Sequence, residues 1–217
     1  MSSDDAGGTA APASGGRGIR GEVAALKRAR VLDAATELFY ERGFANSTLD
    51  DVAARLGVTK PFIYAHVGSK SAFLGEISAL GVARALEVAD AALAGGGEPD
   101  EALRAFVPAY VTAILRSQKS ITINIREEEN LDPADAARLA ELRQAFMARV
   151  EALLARGIER GQVAVPDVRI AAFALVGAVS WTTFCFNPAG TLSIEEVSDW
   201  MTWTILDLAR AERMPAA

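Results

Sequence analysis

The chain has 217 residues, of which 51% are apolar, so it can bury a full hydrophobic core in one or two domains, and its net charge of −6 at first argues against a nucleic-acid partner. A single cysteine and a single histidine exclude an internal disulfide framework, fit a reducing cytosol and make a His/Cys metal site unfavourable. No uninterrupted apolar run approaches the roughly 18 residues of a membrane span, and the N-terminus lacks the apolar core of a secretory signal.

The first part of the chain predicts a tail followed by one helix. Residues 1–18 are mostly Gly, Ser, Ala, Thr and Pro, a composition that favours disorder. Apolar residues at helical spacing then predict a helix from about Val23 to Arg42, which Gly43 ends. A loose basic cluster at the start of this segment is either a solvated helix face or an arm that touches phosphate, and comprises Arg17, Arg20, Lys27, Arg28 and Arg30.

Residues 47–74 predict two short helices joined by a tight turn. Thr48 and Asp51 have the spacing of a capping box, and Gly57 stands where a left-handed C-cap needs no side chain. Thr59 can cap the second helix, with Pro61 in its first turn. Two helices in this arrangement indicate a helix-turn-helix, whose second helix can enter a DNA major groove.

The rest of the chain predicts six further helices. Ser69 can cap the first, which runs to the glycine-rich break at 95–99, and Pro108 predicts a kink or an early end in the next. Ser193 and Glu196 form a second capping box that opens the last helix. The other predicted helices cover about 100–116, 120–130, 132–160 and 166–181. The prediction is an all-α fold of about nine helices, three in a small N-terminal unit and six in a larger body.

The charge is distributed unevenly along the chain. Residues 17–70 hold nine Lys and Arg against six Asp and Glu, whereas residues 71–217 hold thirteen against twenty. A basic N-terminal segment on an acidic body is expected when only one end meets phosphate.

Residues 34–74 resemble the N-terminal domain of TetR-type transcriptional regulators. The matching features are E-L-F-x-x-x-G-F, T-x-x-D-V-A-x-x-x-G-V and I-Y-x-H-V-x-S-K. Residues 181–197 are loosely similar to family branches whose effectors are often acyl-CoA thioesters or hydrophobic molecules. The resemblance implies a cytoplasmic homodimer that binds double-stranded DNA at a palindromic operator, usually as a repressor, and is released by a small hydrophobic effector. It also implies a disordered tail over 1–18, a DNA-binding domain over 19–68, and an effector-binding and dimerisation domain over 69–217.

The resemblance also points to candidate DNA contacts. Thr59, Lys60 and Phe62 lie at the exposed start of the second helix of the motif, and the first two are the best candidates for base-edge or phosphate contact. Capping and solvation are the alternative for these side chains, and a partly buried structural role is the alternative for His66. The full predicted set is Thr48, Arg55, Thr59, Lys60, Phe62, Tyr64, His66 and Lys70.

Apolar and aromatic residues of the later helices are candidates for an effector pocket and a dimer interface. The predicted pocket comprises Phe106, Tyr110, Ile114, Ile121, Ile125, Arg126, Phe146, Phe173 and Trp181, with Arg126, Asn124 and Gln118 as candidate polar anchors. The predicted interface comprises Phe173, Gly177, Trp181, Trp200, Trp203 and Leu208. Ordinary intrachain core is the alternative for both sets.

Two other classes of protein compete with a regulator. An enzyme is not supported, because the sequence has no glycine-rich phosphate loop and no metal-ligand spacing, so neither a cofactor nor a metal is expected. Glu127, Glu128 and Glu129 are more typical of a solvated face than of an acid/base site. A helical scaffold that binds only protein is the remaining alternative, although it would need neither the charge asymmetry nor the helix-turn-helix.

Overall fold

The computed structural model describes the backbone of residues 15–210 and the side chains of 21–65 and 68–206. Within that part the chain is all α-helical, which confirms the predicted fold class. Its nine helices, with a single 3-10 turn at Glu128–Asn130, are α1 (Gly15–Arg42), α2 (Leu49–Leu56), α3 (Lys60–Val67), α4 (Lys70–Ala94), α5 (Pro99–Arg116), α6 (Gln118–Glu127), α7 (Pro133–Glu159), α8 (Val168–Cys185) and α9 (Ile194–Arg210).

Local capping signals place the helix ends of the small N-terminal unit. The Thr48 N–H donates to Asp51 Oδ2 (2.8 Å) and the Asp51 N–H donates to Thr48 Oγ1 (3.1 Å), so the predicted capping box forms. The hydrogen bonds that the Asp51 carboxyl accepts from Thr48 hold its pKa below the usual value. Gly57 ends α2 at φ +65°, and Ser69 Oγ accepts from the Ala72 N–H (3.1 Å) at the start of α4.

Several predicted boundaries differ from the structure. Helix α1 begins at Gly15, about two turns before Val23, so residues 15–18 of the predicted tail are helical, and residues 1–14 lie outside the described part. An early end of α5 at Pro108 is wrong, because the helix continues to Arg116. Helix α5 packs against α4, α7, α8 and α9, and this tertiary packing outweighs the roughly 3 kcal/mol that an interior proline costs.

Two hydrophobic cores divide the molecule, and α4 contributes to both. The small core is built from α1, α2 and α3 around Leu38, Val52 and Ile63, and the large core joins α4 to α9. Phe73, Leu74 and Ile77 of α4 and Ile123 of α6 also belong to the small core, although the predicted domain boundary lies at 68/69. The small N-terminal unit therefore rests directly on two helices of the body.

Helix α8 is apolar around its whole circumference but buries only one face. It packs against α5 and α7 through Ala172, Leu175 and Val179, whereas Phe173 and Trp181 are exposed. By length and composition alone it is the one helix in the described part that could cross a membrane. Because α8 packs on two helices of the body, it is part of the helical body, with one apolar face left uncovered.

Candidate functional site

Four of the eight predicted DNA-contacting residues line one shallow cleft. The start of α2, helix α3 and the start of α4 converge around a volume of about 450 Å³ that is bordered by Thr48, Lys60, Tyr64 and Lys70. Tyr64 is 49% exposed, so its hydroxyl is free to reach a partner outside the chain. The structure thus brings together, on one surface, residues that lie up to 22 positions apart in the sequence.

Two helix N-termini face this cleft. Thr48 is the N-cap of α2 and Ser69 is the N-cap of α4, and both residues line the cleft. The first amides of a helix carry partial positive charge and have no helical acceptor, so they attract phosphate. From the sequence, Ser69 was identified only as a cap, although its place directly before Lys70 was a signal for a phosphate contact as well.

Lys60 is paired with an acidic neighbour in the free protein. Its Nζ lies 2.9 Å from Asp50 Oδ2, and this hydrogen bond raises the pKa of Lys60 above its usual value. The lysine is therefore cationic, and it must exchange Asp50 for a phosphate or a base edge to act on DNA. The second cation of the cleft, Lys70, has its Nζ 4.2 Å from the ring centroid of Phe44.

Three of the other four predicted contacts do not line this cleft. Arg55 forms an ion pair with Glu41 of α1 (2.6 Å), which holds it beside α1 rather than at the cleft. Phe62 is packed against the small core, and Thr59 lies at the N-cap of α3 without a side-chain capping bond. The side chain of His66 lies outside the described part.

A second cavity, of about 340 Å³, lies in the body between α4, α5, α6, α7 and α8. Five of the nine predicted pocket residues line it together, namely Tyr110, Ile114, Ile121, Ile125 and Phe146. The side chains that complete it include Ser78, Val82, Asn124, Arg143, Met147, Val176 and Ser180. Its volume is at the small end of the range for ligand sites, about 300 to 1,000 Å³.

Four predicted pocket residues do not line this cavity. Phe106 is fully buried one turn before Tyr110 and stacks on its ring at a centroid distance of 5.4 Å. Phe173 and Trp181 are 60% and 65% exposed on the outer face of α8. Arg126 points toward the DNA-binding unit, with its guanidinium 5.8 Å from the ring centroid of Tyr40.

Most polar groups of the cavity wall already have partners. The Tyr110 and Ser180 hydroxyls lie 3.4 Å apart, and burial raises the pKa of Tyr110 to about 12, so its hydroxyl is neutral. Arg143 donates to Glu128 (2.6 Å). In contrast, Ser78 Oγ and Asn124 Oδ1 are buried without a hydrogen-bond partner. Gln118 is no anchor here, because its amide donates to the carbonyls of Thr183 (2.7 Å) and Phe186 (2.9 Å), where it holds the end of α8.

Four of the six predicted dimer residues are aromatic side chains on the exposed apolar face of α8 and α9. Phe173, Trp181, Trp200 and Trp203 are between 60% and 71% exposed, and Gly177 lies on α8 between the first two. Ile170 and Phe184 extend the face and were not predicted; their exposure on the same helix as Phe173 was not visible in a uniformly apolar segment. The side chain of Leu208 lies outside the described part.

Helix α6 connects the cavity to the DNA-binding unit. Its Ile121, Asn124 and Ile125 line the cavity. On the side toward α1, Lys119 forms an ion pair with Glu37 at 2.5 Å, and Glu127 Oε1 accepts a hydrogen bond from the Phe44 N–H at 3.3 Å. A ligand that displaced α6 would therefore also change the contacts of α6 with α1 and with the loop that follows α1.

Comparison with known proteins gives a family match for the small N-terminal unit and another for the larger helical body. Residues 31–77 match the family described as bacterial regulatory proteins, tetR family, and residues 96–209 match the tetracyclin repressor-like C-terminal domain. The transcriptional activator FasR of Mycolicibacterium smegmatis is 26% identical over 71% of this chain and 72% of its own length. The transcriptional repressor KstR2 of Rhodococcus jostii is 26% identical over 83% of this chain and 90% of its own.

Solved structures give the same result. The TetR-family regulator PfmR of Thermus thermophilus is 30% identical, with a TM-score of 0.75 over 85% of this chain and 100% of its own. AibR, solved with isovaleryl coenzyme A and operator DNA, is 23% identical, with a TM-score of 0.69 over 82% of this chain and 97% of its own, and at that identity it supports the fold alone. The family matches together span both the DNA-binding unit and most of the body, and the resemblance seen in the sequence is confirmed. The chain belongs to the TetR family of transcriptional regulators.

Proposed function

We propose that the chain is a ligand-responsive repressor that binds a palindromic operator as a homodimer and is released by a small hydrophobic effector. The observation that supports DNA binding is the cleft where Thr48, Lys60, Tyr64 and Lys70 meet beside two helix N-termini. Cations and amide dipoles at one surface favour phosphate contact, and the exposed first turn of α3 is left for base edges. In this arrangement phosphate contacts orient the protein and α3 reads the sequence.

The homodimer supplies the specificity that one short helix lacks. An eight-residue recognition helix reaches few base pairs, whereas two of them about 34–36 Å apart read successive faces of the major groove. The exposed face of α8 and α9 supports this arrangement, because four aromatic side chains there are largely uncovered by the described chain. Large exposed apolar side chains of this kind are typical of an interface core.

The effector is proposed to occupy the cavity between α4, α5, α6, α7 and α8. Its walls are predominantly apolar, and α4 links it to the DNA-binding cleft because the same helix begins at Lys70 and passes Ser78 and Val82. An acyl-CoA thioester is one candidate class, supported by the complex of AibR with isovaleryl coenzyme A. The proposed place of action is the cytoplasm, where operator DNA and such metabolites are both present.

Repression rather than activation is the favoured direction, but relatives of both kinds exist, FasR among the activators and KstR2 among the repressors. A reporter gene placed behind the selected operator decides this point. Expression that falls when the full chain is supplied, and recovers with effector, supports a repressor. Expression that rises contradicts it.

Selection from random duplex DNA with the full chain tests the proposal. We expect a palindromic consensus, bound at least about 10³-fold more tightly than random duplex at physiological salt. We also expect log affinity to fall linearly with log salt, because phosphate contacts release counterions. A chain that retains no duplex even at low salt would favour the alternative, a helical scaffold that binds only protein.

A further inference from the structure

The cavity of the body contains two buried polar atoms that the protein itself leaves without partners. Ser78 is 3% exposed and Asn124 is 6% exposed, and neither Ser78 Oγ nor Asn124 Oδ1 has a hydrogen-bond partner. Both residues line the 340 Å³ cavity. An unsatisfied polar group in an apolar interior costs free energy, so native proteins rarely keep one without a reason. A ligand that completes these hydrogen bonds is such a reason.

The two polar residues lie at the same end of the cavity. Their neighbours in sequence, Ile77 on α4 and Ile123 on α6, are both buried in the small core. One turn after Ser78 on α4 and one turn before Asn124 on α6, the two helices approach closely, because a Cβ on Gly81 would lie 2.8 Å from Ile121 Cγ1. The end of the cavity that holds the two unpaired atoms is therefore the end nearest the DNA-binding unit. The rest of the wall is mainly apolar, and its polar side chains, Tyr110, Ser180 and Arg143, already have partners.

The chemistry of these atoms selects the ligand group. An amide oxygen such as Asn124 Oδ1 only accepts a hydrogen bond, whereas the Ser78 hydroxyl can donate one. A ligand hydroxyl matches both, since it donates and accepts at once. A ketone or a carboxylate lacks the donor and leaves Asn124 Oδ1 unpaired, and a carboxylate also needs a cation. The one cation on the described wall, Arg143, is already bound to Glu128.

We propose that the effector is a compact, uncharged, largely apolar molecule with a hydroxyl group, which donates to Asn124 Oδ1 and accepts from Ser78 Oγ. This inference rests on the proposed function, because it takes the cavity as the effector site. It narrows the ligand class from hydrophobic molecules in general to alcohols. An acyl-CoA is disfavoured by it, because the anionic nucleotide has no unpaired cation in the described cavity wall.

Two pairs of matched probes test the hydroxyl requirement by isothermal titration calorimetry on the full chain. The linear pair is 1-octanol and 2-octanone, the cyclic pair is 4-tert-butylcyclohexanol and its ketone, and octanoate and octanoyl-CoA complete the set. We expect the alcohol of at least one pair to bind about fivefold or more tightly than its ketone and than octanoate. Absence of binding by both alcohols, equal binding of alcohol and ketone in both pairs, or tighter binding of octanoyl-CoA overturns the inference.

Variants of the two polar residues separate a hydrogen bond from simple cavity filling. Asn124→Leu and Ser78→Ala should bring each bound alcohol to within about twofold of its ketone. Thr122→Val is the matched control on α6, because the Thr122 hydroxyl already donates to the Gln118 carbonyl (2.8 Å) and does not line the cavity. It should keep the preference for alcohols, and loss of the preference in this control alone contradicts the assignment.

A measurement without ligand adds an independent readout. Replacing Asn124, whose Oδ1 is buried without a partner, with an apolar side chain should raise the melting temperature of the free protein by about 2 to 6 °C. A lower melting temperature for Asn124→Leu would mean that the amide is satisfied in the native chain, which overturns the inference. Operator binding is measured in parallel, so intact DNA binding with failed alcohol binding leaves the proposed regulator standing and removes only the ligand class.

Discussion

Lys60 shows how one side chain serves the free and the bound protein. In the free chain its ammonium group pairs with Asp50 at 2.9 Å on an exposed surface. Exposed ion pairs contribute little to stability because water screens them. In the proposed complex the pair can therefore be exchanged for a phosphate at small cost. In the free protein Asp50, which also lines the cleft, holds the Lys60 ammonium group there.

Removing the two best-placed cleft side chains should abolish operator recognition without unfolding the protein. We expect the double variant Lys60→Ala with Tyr64→Ala to lose at least about 100-fold in operator affinity, because it removes a cationic and a hydroxyl contact of each subunit. The salt dependence of the residual binding should also become shallower, since fewer counterions are released. Fluorescence anisotropy over a salt series measures both quantities.

A matched variant checks that the loss comes from the cleft. Arg104→Ala removes another exposed, paired cation, bound to Asp100 on α5 at 2.8 Å, and should leave operator affinity unchanged within about twofold. Both proteins should remain dimeric in sedimentation. Intact operator binding by the double variant would remove the assignment of the cleft.

Single residues of the cavity illustrate what periodicity in the sequence cannot resolve. Phe106 and Tyr110 lie four positions apart on the same buried face of α5, yet only Tyr110 reaches the cavity. Periodicity identifies the buried face of a helix, but which side chain on that face meets empty space depends on the neighbouring helices. Ser78 was missed for the same reason, since a serine in an apolar helix gives no sign of what it faces.

At the scale of elements, the signals that were correctly predicted are local ones. The capping box of Thr48 and Asp51 and that of Ser193 and Glu196 form as expected, because each needs only residues three positions apart. The early end predicted at Pro108 failed because its cost is local, whereas the packing that maintains α5 comes from four other helices. Capping motifs could thus be predicted from the sequence. Whether packing against other helices would outweigh the cost of a proline inside a helix could not.

Helix α6 is the element best placed to couple the cavity to DNA binding. It lines the cavity on one side. On the other side it contacts α1 through Lys119 and the loop after α1 through Glu127. Helix α4 is the other possible route, because it begins at the cleft and lines the cavity. The ion pair between Lys119 and Glu37 joins residues 82 positions apart, so no local pattern announces it.

A cavity-lining glycine offers a test of this coupling without any ligand. Gly81→Ala would place a Cβ 2.8 Å from Ile121 Cγ1, so α6 must shift away from α4. We expect operator affinity to fall by about 5- to 20-fold although Gly81 lies far from the cleft, a coupling free energy of about 1–2 kcal/mol. Adding Glu37→Gln, which breaks the contact with Lys119, should reduce that effect in a double-mutant cycle.

The neighbouring glutamate of α1 provides the control for this cycle. Glu41→Gln also removes a charge from α1, but its partner Arg55 belongs to the small unit and not to α6. The effect of Gly81→Ala should be unchanged in that background. If Gly81→Ala folds normally and binds the operator like the parent chain, α6 does not transmit the change and α4 is the remaining route.

At the scale of the whole molecule, α8 and α9 carry large apolar side chains that the described part of a single chain does not cover. Trp200 and Trp203 are 60% and 71% exposed, and a Cβ on Gly177 would meet nothing within 4 Å. Glycine within a helix costs roughly 0.5–1 kcal/mol relative to alanine, and no contact inside the described chain requires one here. Close approach of a second α8 would explain both the glycine and the exposed aromatic side chains.

The sequence identified these residues as apolar and out of place on a free surface, but it could not divide them between sites. Phe173 and Trp181 were assigned both to the pocket and to the interface, because α8 is apolar on every side and its spacing marks no preferred face. The structure shows which face packs against α5 and α7, and the two aromatic residues lie on the other. Packing of neighbouring elements, rather than composition, makes this distinction.

Charge placed on this face should separate the subunits and abolish operator binding. In Phe173→Glu with Trp203→Glu, two carboxylates per subunit would have to be buried unpaired, so we expect a folded monomer by light scattering, with unchanged helix content in circular dichroism. Because a monomer presents a single recognition helix, its operator affinity should approach that for random duplex. Ile158→Glu is the control: Ile158 is 37% exposed on α7 outside the face, and this variant should remain dimeric. A double variant that still elutes as a dimer would place the interface elsewhere, since no interface core on α8 and α9 tolerates four unpaired carboxylates.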